Sequence, residues 1–284
     1  MTMSTSQKRY AVIGNPISHS RSPSIHQAFA RQCGINLVYE RILAPVDAFT
    51  TYAERFFEQG GLGLNVTVPF KEDAYHLARS NLSARAQLAA AVNTLWVDDG
   101  VIHGCNSDGM GLLSDLLRLG FNPEKSRVLM VGAGGAARGC LLPVLEAQCK
   151  ELRVLNRTPE RARLLVADLL AFRPEYRSRL SAGSLNDLDG VWDIVINATS
   201  ASLSSQAPSL EGLQFSERSL AYDMVYGSEP TAFMTQSRAL GAGCQADGLG
   251  MLVGQAAISF QIWHGVLPET DAVLDELRNV LKVS

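Results

Sequence analysis

Short apolar runs alternate with stretches of helical spacing along the whole chain, and this order constrains the fold more than any other feature. The first series reads YAVIG (10–14), a helix from about Ser22, LVYERIL (37–43), a helix from about Ala48, LGLNVTV (62–68) and a helix from about Phe70. Strands that alternate with helices predict βαβ units and a parallel sheet. TLWVDDGVIHGCN (94–106) then reads as a hairpin, because Asp99-Gly100 between two apolar runs supplies the positive φ angles of a tight turn. DGMGLLSDLLRLG (108–120) has helical spacing and a glycine stop, and leads into a second series: RVLMVGAG, LRVLN, DIVINAT, LAYDMVY and GCQAD. At 284 residues, 46% hydrophobic and 19% charged, the chain has room for two domains with cores of their own. The tail from Leu249 to Lys282 is helical in pattern, with Pro268 between two helices, and residues 200–209 read as a polar loop.

VLMVGAGGAARG places Gly132, Gly134 and Ala137 in a G-x-G-x-x-A pattern directly after a strand and at the start of a helix. The first glycine permits the turn, the second lets backbone approach a pyrophosphate, and the helix N-terminus offers N–H donors to the anion. As a lone pattern it is weak; between two strands at βαβ spacing it favours a dinucleotide. The next strand ends in Asn156 and Arg157, where an NAD site would place a carboxylate against the ribose 2′-hydroxyl. Thr158 and Pro159 form an N-cap and N1 pair, which puts Arg161 in the first turn of the following helix. A 2′-phosphate held by Arg157 and Arg161 explains cations in that position, so NADP is favoured over NAD.

The formal net charge of −3 and the lack of a basic run argue against a nucleic-acid or anionic-membrane surface and for a small-molecule partner. Five scattered cysteines without a CxxC indicate neither a disulfide framework nor a metal site, and fit reduced thiols in a cytoplasm. The N-terminus MTMSTSQKR is polar and no apolar run reaches the roughly 18 residues of a membrane span, so export and membrane insertion are not expected.

Four polar segments of the first half, GNPISHSRSP, NVTVPFKE, AVNT and GCNSDG, fall where strands end. In open α/β sheets ligands bind beyond the carboxyl ends of the strands, so these segments are expected to serve one ligand. Ser20 and Ser22 precede a helix start and suit a carboxylate, although Ser22 before Pro23 also reads as a plain N-cap. Asp108 could equally cap a helix beginning near Gly109, and Thr67 and Asn93 could be ordinary strand and turn residues. Lys71 is the odd member: a cation in the first turn of a helix is disfavoured by roughly 0.3–1 kcal/mol unless something offsets it.

Taken in order, GNPISHSRSPSIH, NVTVPFKE, AVNTL, NSDGMG, GAGGAARG, NRT, INATS, YDMVY and ADGLGMLVGQA resemble the shikimate dehydrogenase family from Tyr10 to about Pro268. The resemblance implies reversible NADPH-dependent reduction of 3-dehydroshikimate to shikimate, a step toward chorismate and the aromatic amino acids. It implies an α/β substrate domain formed by 1–107 and 249–284, the C-terminal helices returning to it, and a doubly wound Rossmann-type NADP-binding domain over 108–248. By the same resemblance Lys71 and Asp108 are the catalytic pair, and Ser20 and Ser22 hold the substrate carboxylate. Thr67, Asn93, Asp108 and Gln255 bind ring hydroxyls and Tyr226 closes the pocket. Gly132, Ala133, Gly134, Gly135 and Ala136 match the pyrophosphate loop, and Asn156, Arg157, Thr158 and Arg161 the 2′-phosphate clamp. Met224 and Gly248 match the nicotinamide end. No metal is implied, and the chain is expected as a monomer or homodimer. A helix dipole worth at most about 1 kcal/mol is too small to activate a lysine, so Lys71 and Asp108 are expected to act as a coupled pair. Two alternatives stay open: a quinate/shikimate dehydrogenase that accepts NAD, and a non-catalytic NADPH-binding protein.

Overall fold

The computed structural model describes residues 7–204 and 207–283. They form two compact units: residues up to 107 together with 255–273, and 108–254 together with the residues from 274.

The first unit contains β1 (Lys8–Gly14), α1 (Ser22–Cys33), β2 (Leu37–Leu43), α2 (Phe49–Glu58), β3 (Gly61–Val66), α3 (Lys71–Leu77), α4 (Ala84–Ala89), β4 (Thr94–Asp98) and β5 (Val101–Cys105). The strands make a five-stranded sheet of order β2-β1-β3-β4-β5. β1 pairs parallel with β2 and β3, whereas β4 runs antiparallel to both β3 and β5. The expected hairpin is present at the sheet edge, with Asp99 at φ 48° and Gly100 at φ 76°, the two positive values a type I′ turn requires. β1 is buried from Tyr10 to Gly14, as a strand covered on both faces should be. Phe49 and Phe56 of α2 and Phe70 and Ala74 beside and within α3 pack with Ala11, Ile13, Leu64 and Val66 of the sheet.

Two helix starts differ in detail from the sequence reading. Ser22 is already helical, because Arg21 holds α-region angles (φ −89°, ψ −6°), and it is the Ser20 hydroxyl that accepts the Ser22 N–H at 3.3 Å. α3 begins at Lys71 itself, with Glu72 and Asp73 in the same turn. Carboxylates there are favoured by the dipole that disfavours the lysine, so the helix offsets part of that cost within its own first turn.

The second unit opens with α5 (Asp108–Arg118), followed by β6 (Arg127–Val131), α6 (Gly135–Glu146), β7 (Glu151–Asn156), α7 (Pro159–Phe172), β8 (Leu180–Ser184), β9 (Val191–Asn197), β10 (Gln214–Asp223), α8 (Ala232–Ala239) and β11 (Cys244–Asp247). Its six strands are all parallel in the order β11-β10-β9-β6-β7-β8. The order reverses between β6 and β9, which marks the switch point of a doubly wound sheet. Leu129, Val131, Leu155, Val195 and Trp192 of the sheet share a core with Leu210, Leu213 and Phe233. β8 (LSAGS), α4 and α8 have no counterpart in the sequence reading; β8 is short and has no β-branched residue to signal it. Residues 201–204 of the polar loop form a 3₁₀ turn, and 205–206 lie outside the described residues.

The resemblance assigns 249–284 whole to the first domain, but the structure divides that segment. It holds α9 (Leu249–His264) and α10 (Asp271–Val283). Residues 255–273 belong to the first unit, where Trp263 donates to the Leu95 carbonyl at 3.1 Å and a Cβ on Gly63 would run into its indole. The residues from 274 belong to the second, where Arg278 donates through both terminal nitrogens to Asp247 at 2.6 and 2.5 Å. The sequence spacing carries no sign of that ion pair. Among the described residues no helix is long and apolar enough to cross a membrane.

Candidate active site

In the first unit the polar residues that the sequence singles out sit at strand ends. Ser20 lies between β1 and α1, and its carbonyl accepts two hydrogen bonds from the Arg41 guanidinium at 3.1 and 2.7 Å. Thr67 follows β3, its N–H donating to the Ile13 carbonyl at 3.0 Å and its methyl packed on Gly14. Lys71 is half-buried, and its carbonyl accepts the Val92 N–H at 2.8 Å, which fixes the start of α3 against the segment leading into β4.

Asn93 is the centre of a buried polar network. Its Oδ1 accepts the Ser107 N–H at 2.9 Å and the Thr94 hydroxyl at 2.9 Å, and its Nδ2 donates to the Ser107 hydroxyl at 2.9 Å and to Gln255 Oε1 at 3.4 Å. Asn65 Nδ2 donates to the Asn93 carbonyl at 3.1 Å and to the Ser259 hydroxyl at 3.0 Å, while its Oδ1 accepts the Tyr39 hydroxyl at 2.6 Å. Thr94 and Ser259 meet at 2.7 Å. The structure therefore brings Asn93 and Gln255 within hydrogen-bond distance of each other. It adds Asn65, Thr94, Ser107, Ser259 and Tyr39, which single-residue reading missed. Asn65, Thr94 and Ser107 lie inside the quoted motifs; their signal is a polar side chain in an otherwise apolar, buried stretch.

Beneath this network Tyr39 stacks on His26, ring centroids 4.4 Å apart. Burial pushes the Tyr39 phenol well above its ordinary range and holds His26 neutral, its pKa brought down to about 3 by burial and, second, by His264. Both His26 nitrogens are buried without a hydrogen-bond partner among the described residues. Burial likewise lowers His264 to about 4, with Lys8 contributing.

In the second unit the glycine turn lies between β6 and α6. Gly132 has φ 112° and donates its N–H to the Leu155 carbonyl at 2.7 Å. Gly134 caps α6 with no side-chain hydrogen bond, and the first turn of that helix contains no acid. A Cβ on Gly134 or Gly135 would meet nothing within 4 Å and Ala136 is exposed, so the loop is open at 134–136, whereas Gly132 is buried and Ala133 half-buried. Such a turn has room and donors for a pyrophosphate. At the end of β7, Asn156 Nδ2 donates to the Thr158 carbonyl at 2.9 Å. Thr158 occupies the cap position of α7 as expected, but its hydroxyl makes no capping bond. Arg157 and Arg161 are exposed, and among the described residues neither is ion-paired. This donor set fits a 2′-phosphate, with the one acid of that first turn, Glu160, turned to Arg163 at 3.4 Å.

Met224 follows β10, its N–H donating to the Asn197 carbonyl at 3.0 Å; Gly248 donates to the Val225 carbonyl at 3.2 Å, and a Cβ there would strike the Met224 carbonyl. Tyr226 is half-buried in the same segment. Asp108 is the first residue of α5 and is 8% exposed, placing a carboxylate at a helix N-terminus.

The parallel sheet with its switch point, the open glycine turn and the basic pair past β7 define the nucleotide-binding unit of a nicotinamide-dependent oxidoreductase. Comparisons with known proteins narrow that class. Models of the shikimate dehydrogenase substrate binding domain, of shikimate/quinate 5-dehydrogenase and of the shikimate 5′-dehydrogenase C-terminal domain match residues 12–95, 116–208 and 248–278. Shikimate dehydrogenase (NADP⁺) of Bordetella avium is 59% identical over 278 residues, 98% of each chain, and that of Bordetella petrii is 55% identical over 99% of each. Among solved structures, shikimate 5-dehydrogenase of Thermus thermophilus, in complex with NADP(H) and shikimate, is 31% identical and covers 97% of this chain and 100% of its own at a TM-score of 0.83. An Ael1 enzyme from Pseudomonas putida is 43% identical, with a TM-score of 0.85 over 95% of this chain and 98% of its own. The chain belongs to the shikimate dehydrogenase family.

Proposed function

We propose that this chain catalyses the reversible NADPH-dependent reduction of 3-dehydroshikimate to shikimate. The observation that carries this reading is the exposed Arg157 and Arg161, without an ion-pair partner among the described residues, beyond an open glycine turn in a chain of this family. When bound, NADPH supplies the hydride. The backbone N–H groups at the start of α6 take the pyrophosphate, Asn156, Arg157, Thr158 and Arg161 the 2′-phosphate, and Met224 and Gly248 the nicotinamide end. Ser20 and Ser22 hold the substrate carboxylate. Thr67, Asn93, Asp108 and Gln255 orient the ring hydroxyls, and Tyr226 covers them.

Reducing a ketone develops negative charge on its oxygen, so a proton donor is needed at that atom. Lys71 and Asp108 fill this role as a pair: one group delivers the proton while the other keeps the charge balanced. The Asn93 network supports the reading because it holds Asn93 and Gln255 in one set of buried and part-buried hydrogen bonds. All five cysteines carry thiols, in keeping with a reducing, cytoplasmic setting.

The test is to mix the protein with shikimate and NADP and follow the absorbance of reduced nicotinamide. A steady gain is expected. No gain at any pH or concentration would leave only nucleotide binding.

A further inference from the structure

We infer that Asp223 is a positioning residue for the cofactor: its carboxylate ties the segment leaving β9 to the segment leaving β10. This rests on the assignment of 132–136 and Met224 with Gly248 to the dinucleotide.

Asp223 ends β10 and is fully buried, yet among the described residues it has no cationic partner. Its charge is met by hydrogen bonds alone. Oδ1 accepts the Asn197 amide at 3.0 Å and the Val225 N–H at 3.1 Å; Oδ2 accepts the Ser202 and Thr231 hydroxyls, both at 2.6 Å. A carboxylate only accepts, and its partners have protons to give: the Thr231 hydroxyl accepts the Met234 N–H at 3.2 Å and keeps its own proton for Asp223. Asn197 Oδ1 accepts from the Thr199 N–H at 3.1 Å and hydroxyl at 2.7 Å, so its amide nitrogen faces the carboxylate.

These donors belong chiefly to loops at the cofactor end. Ala198 and Thr199 pack on the glycine turn: a Cβ on Gly132 would lie 3.0 Å from the Thr199 methyl and 3.1 Å from the Ala198 carbonyl carbon. Val225 follows Met224, and its carbonyl holds Gly248 at 3.2 Å. Thr231 caps α8. One carboxylate thus reaches the backing of the phosphate turn and the segment that carries Met224. Hydrogen bonds to an ionised acceptor are shorter and stronger than neutral ones, and the two shortest here end on loops. An asparagine of the same shape has one acceptor in place of two: whichever way its amide turns, its NH₂ replaces an acceptor either for the Asn197 amide and Val225 N–H or for the Ser202 and Thr231 hydroxyl protons.

The test compares wild type with Asp223→Asn, Thr231→Val and Thr231→Ser. It uses NADP titration by intrinsic fluorescence without substrate, initial rates, and thermal unfolding without cofactor. For Asp223→Asn and Thr231→Val the dissociation constant and KM for NADP should rise about tenfold, the size of one lost hydrogen bond. The shikimate KM should stay within about twofold, and Thr231→Ser should bind like wild type. If Asp223→Asn fails to fold, the Val and Ser variants of Thr231 decide by the same criteria. NADP affinity unchanged in the folded variants, or a lower melting point with both KM values unmoved, overturns the inference and leaves the cofactor reading intact. Wild-type protein that binds no NADP overturns both.

Discussion

The polar region of the first unit and the glycine-turn region of the second solve opposite problems. Around Asn93 the side chains are buried or half-buried and hydrogen-bonded to one another from Tyr39 through Asn65, Thr94 and Asn93 to Gln255. Around Gly134 the surface is open, the donors are backbone, and the cations at 157 and 161 stand exposed. A substrate with several hydroxyls, as proposed for the first region, requires donors and acceptors at fixed positions, and a network organised from within, each member depending on the next, suits that demand. A phosphate requires charge and N–H groups on a rigid turn, and tolerates solvent until it is covered. Substitutions in the first region should therefore disturb stability as well as turnover, and those in the second should change nucleotide choice with the fold intact.

The largest expected effect comes from the pair proposed to handle the proton, Lys71 and Asp108. Lys71→Ala should lower kcat by about 10² to 10⁴ with little change in shikimate KM, the size of lost general acid catalysis; a variant within about tenfold of wild type would remove Lys71 from the chemistry. Next in size, Arg157→Ala should raise the KM for NADP about tenfold or more, as expected for one charge-assisted hydrogen bond of about 1.5–3 kcal/mol, and leave the KM for NAD nearly unchanged. Equal effects on both nucleotides would show that the exposed arginine does not read the 2′-phosphate. Thr94→Val keeps the shape of the side chain but leaves Asn93 Oδ1 and Ser259 short of a partner. Denaturant unfolding should show a loss of about 1–3 kcal/mol, with NADP affinity unmoved. No loss of stability would mean that the network does not act as a unit.

The smallest effect near neutral pH belongs to His26. Its pKa in the folded chain is about 3 against an ordinary 6.5, so between those values the unfolded chain binds the proton and the folded chain does not. The stability associated with neutral His26 is complete above about pH 6.5 and declines as pH falls toward 3. His264 adds to the decline down to about pH 4. His26→Phe should flatten the acid side of a melting-point profile while leaving its slope above pH 7 alone, and a parallel profile would contradict that origin.

Much of the second region is legible in the sequence because its chemistry is written in consecutive residues. A strand, two glycines and a helix need only local spacing, and Arg157 and Arg161 follow the next strand directly. The first region is less legible because its bonds join distant positions: Asn65 to Ser259, Asn93 to Gln255, Trp263 to Leu95. Spacing cannot show which polar residue of a strand will find a partner on a helix about two hundred residues away. Gln255 enters the reading only through resemblance, and Ser259 does not enter it at all. The division of the C-terminal segment is hidden for the same reason, since it depends on Arg278 meeting Asp247. Asp223 is a further case: in LAYDMVY it reads as the end of an apolar strand, and its four donors come from positions 197 to 231.

The most direct test of the account is a matrix of initial rates, shikimate and quinate each with NADP and with NAD, for wild type and for Arg157→Ala. Wild type should be fastest with shikimate and NADP, and Arg157→Ala should lose the preference for NADP while keeping the preference for shikimate. A wild type that uses NAD as well as NADP, or an Arg157→Ala variant that changes substrate and nucleotide preference together, would contradict the assignment of the two choices to separate regions.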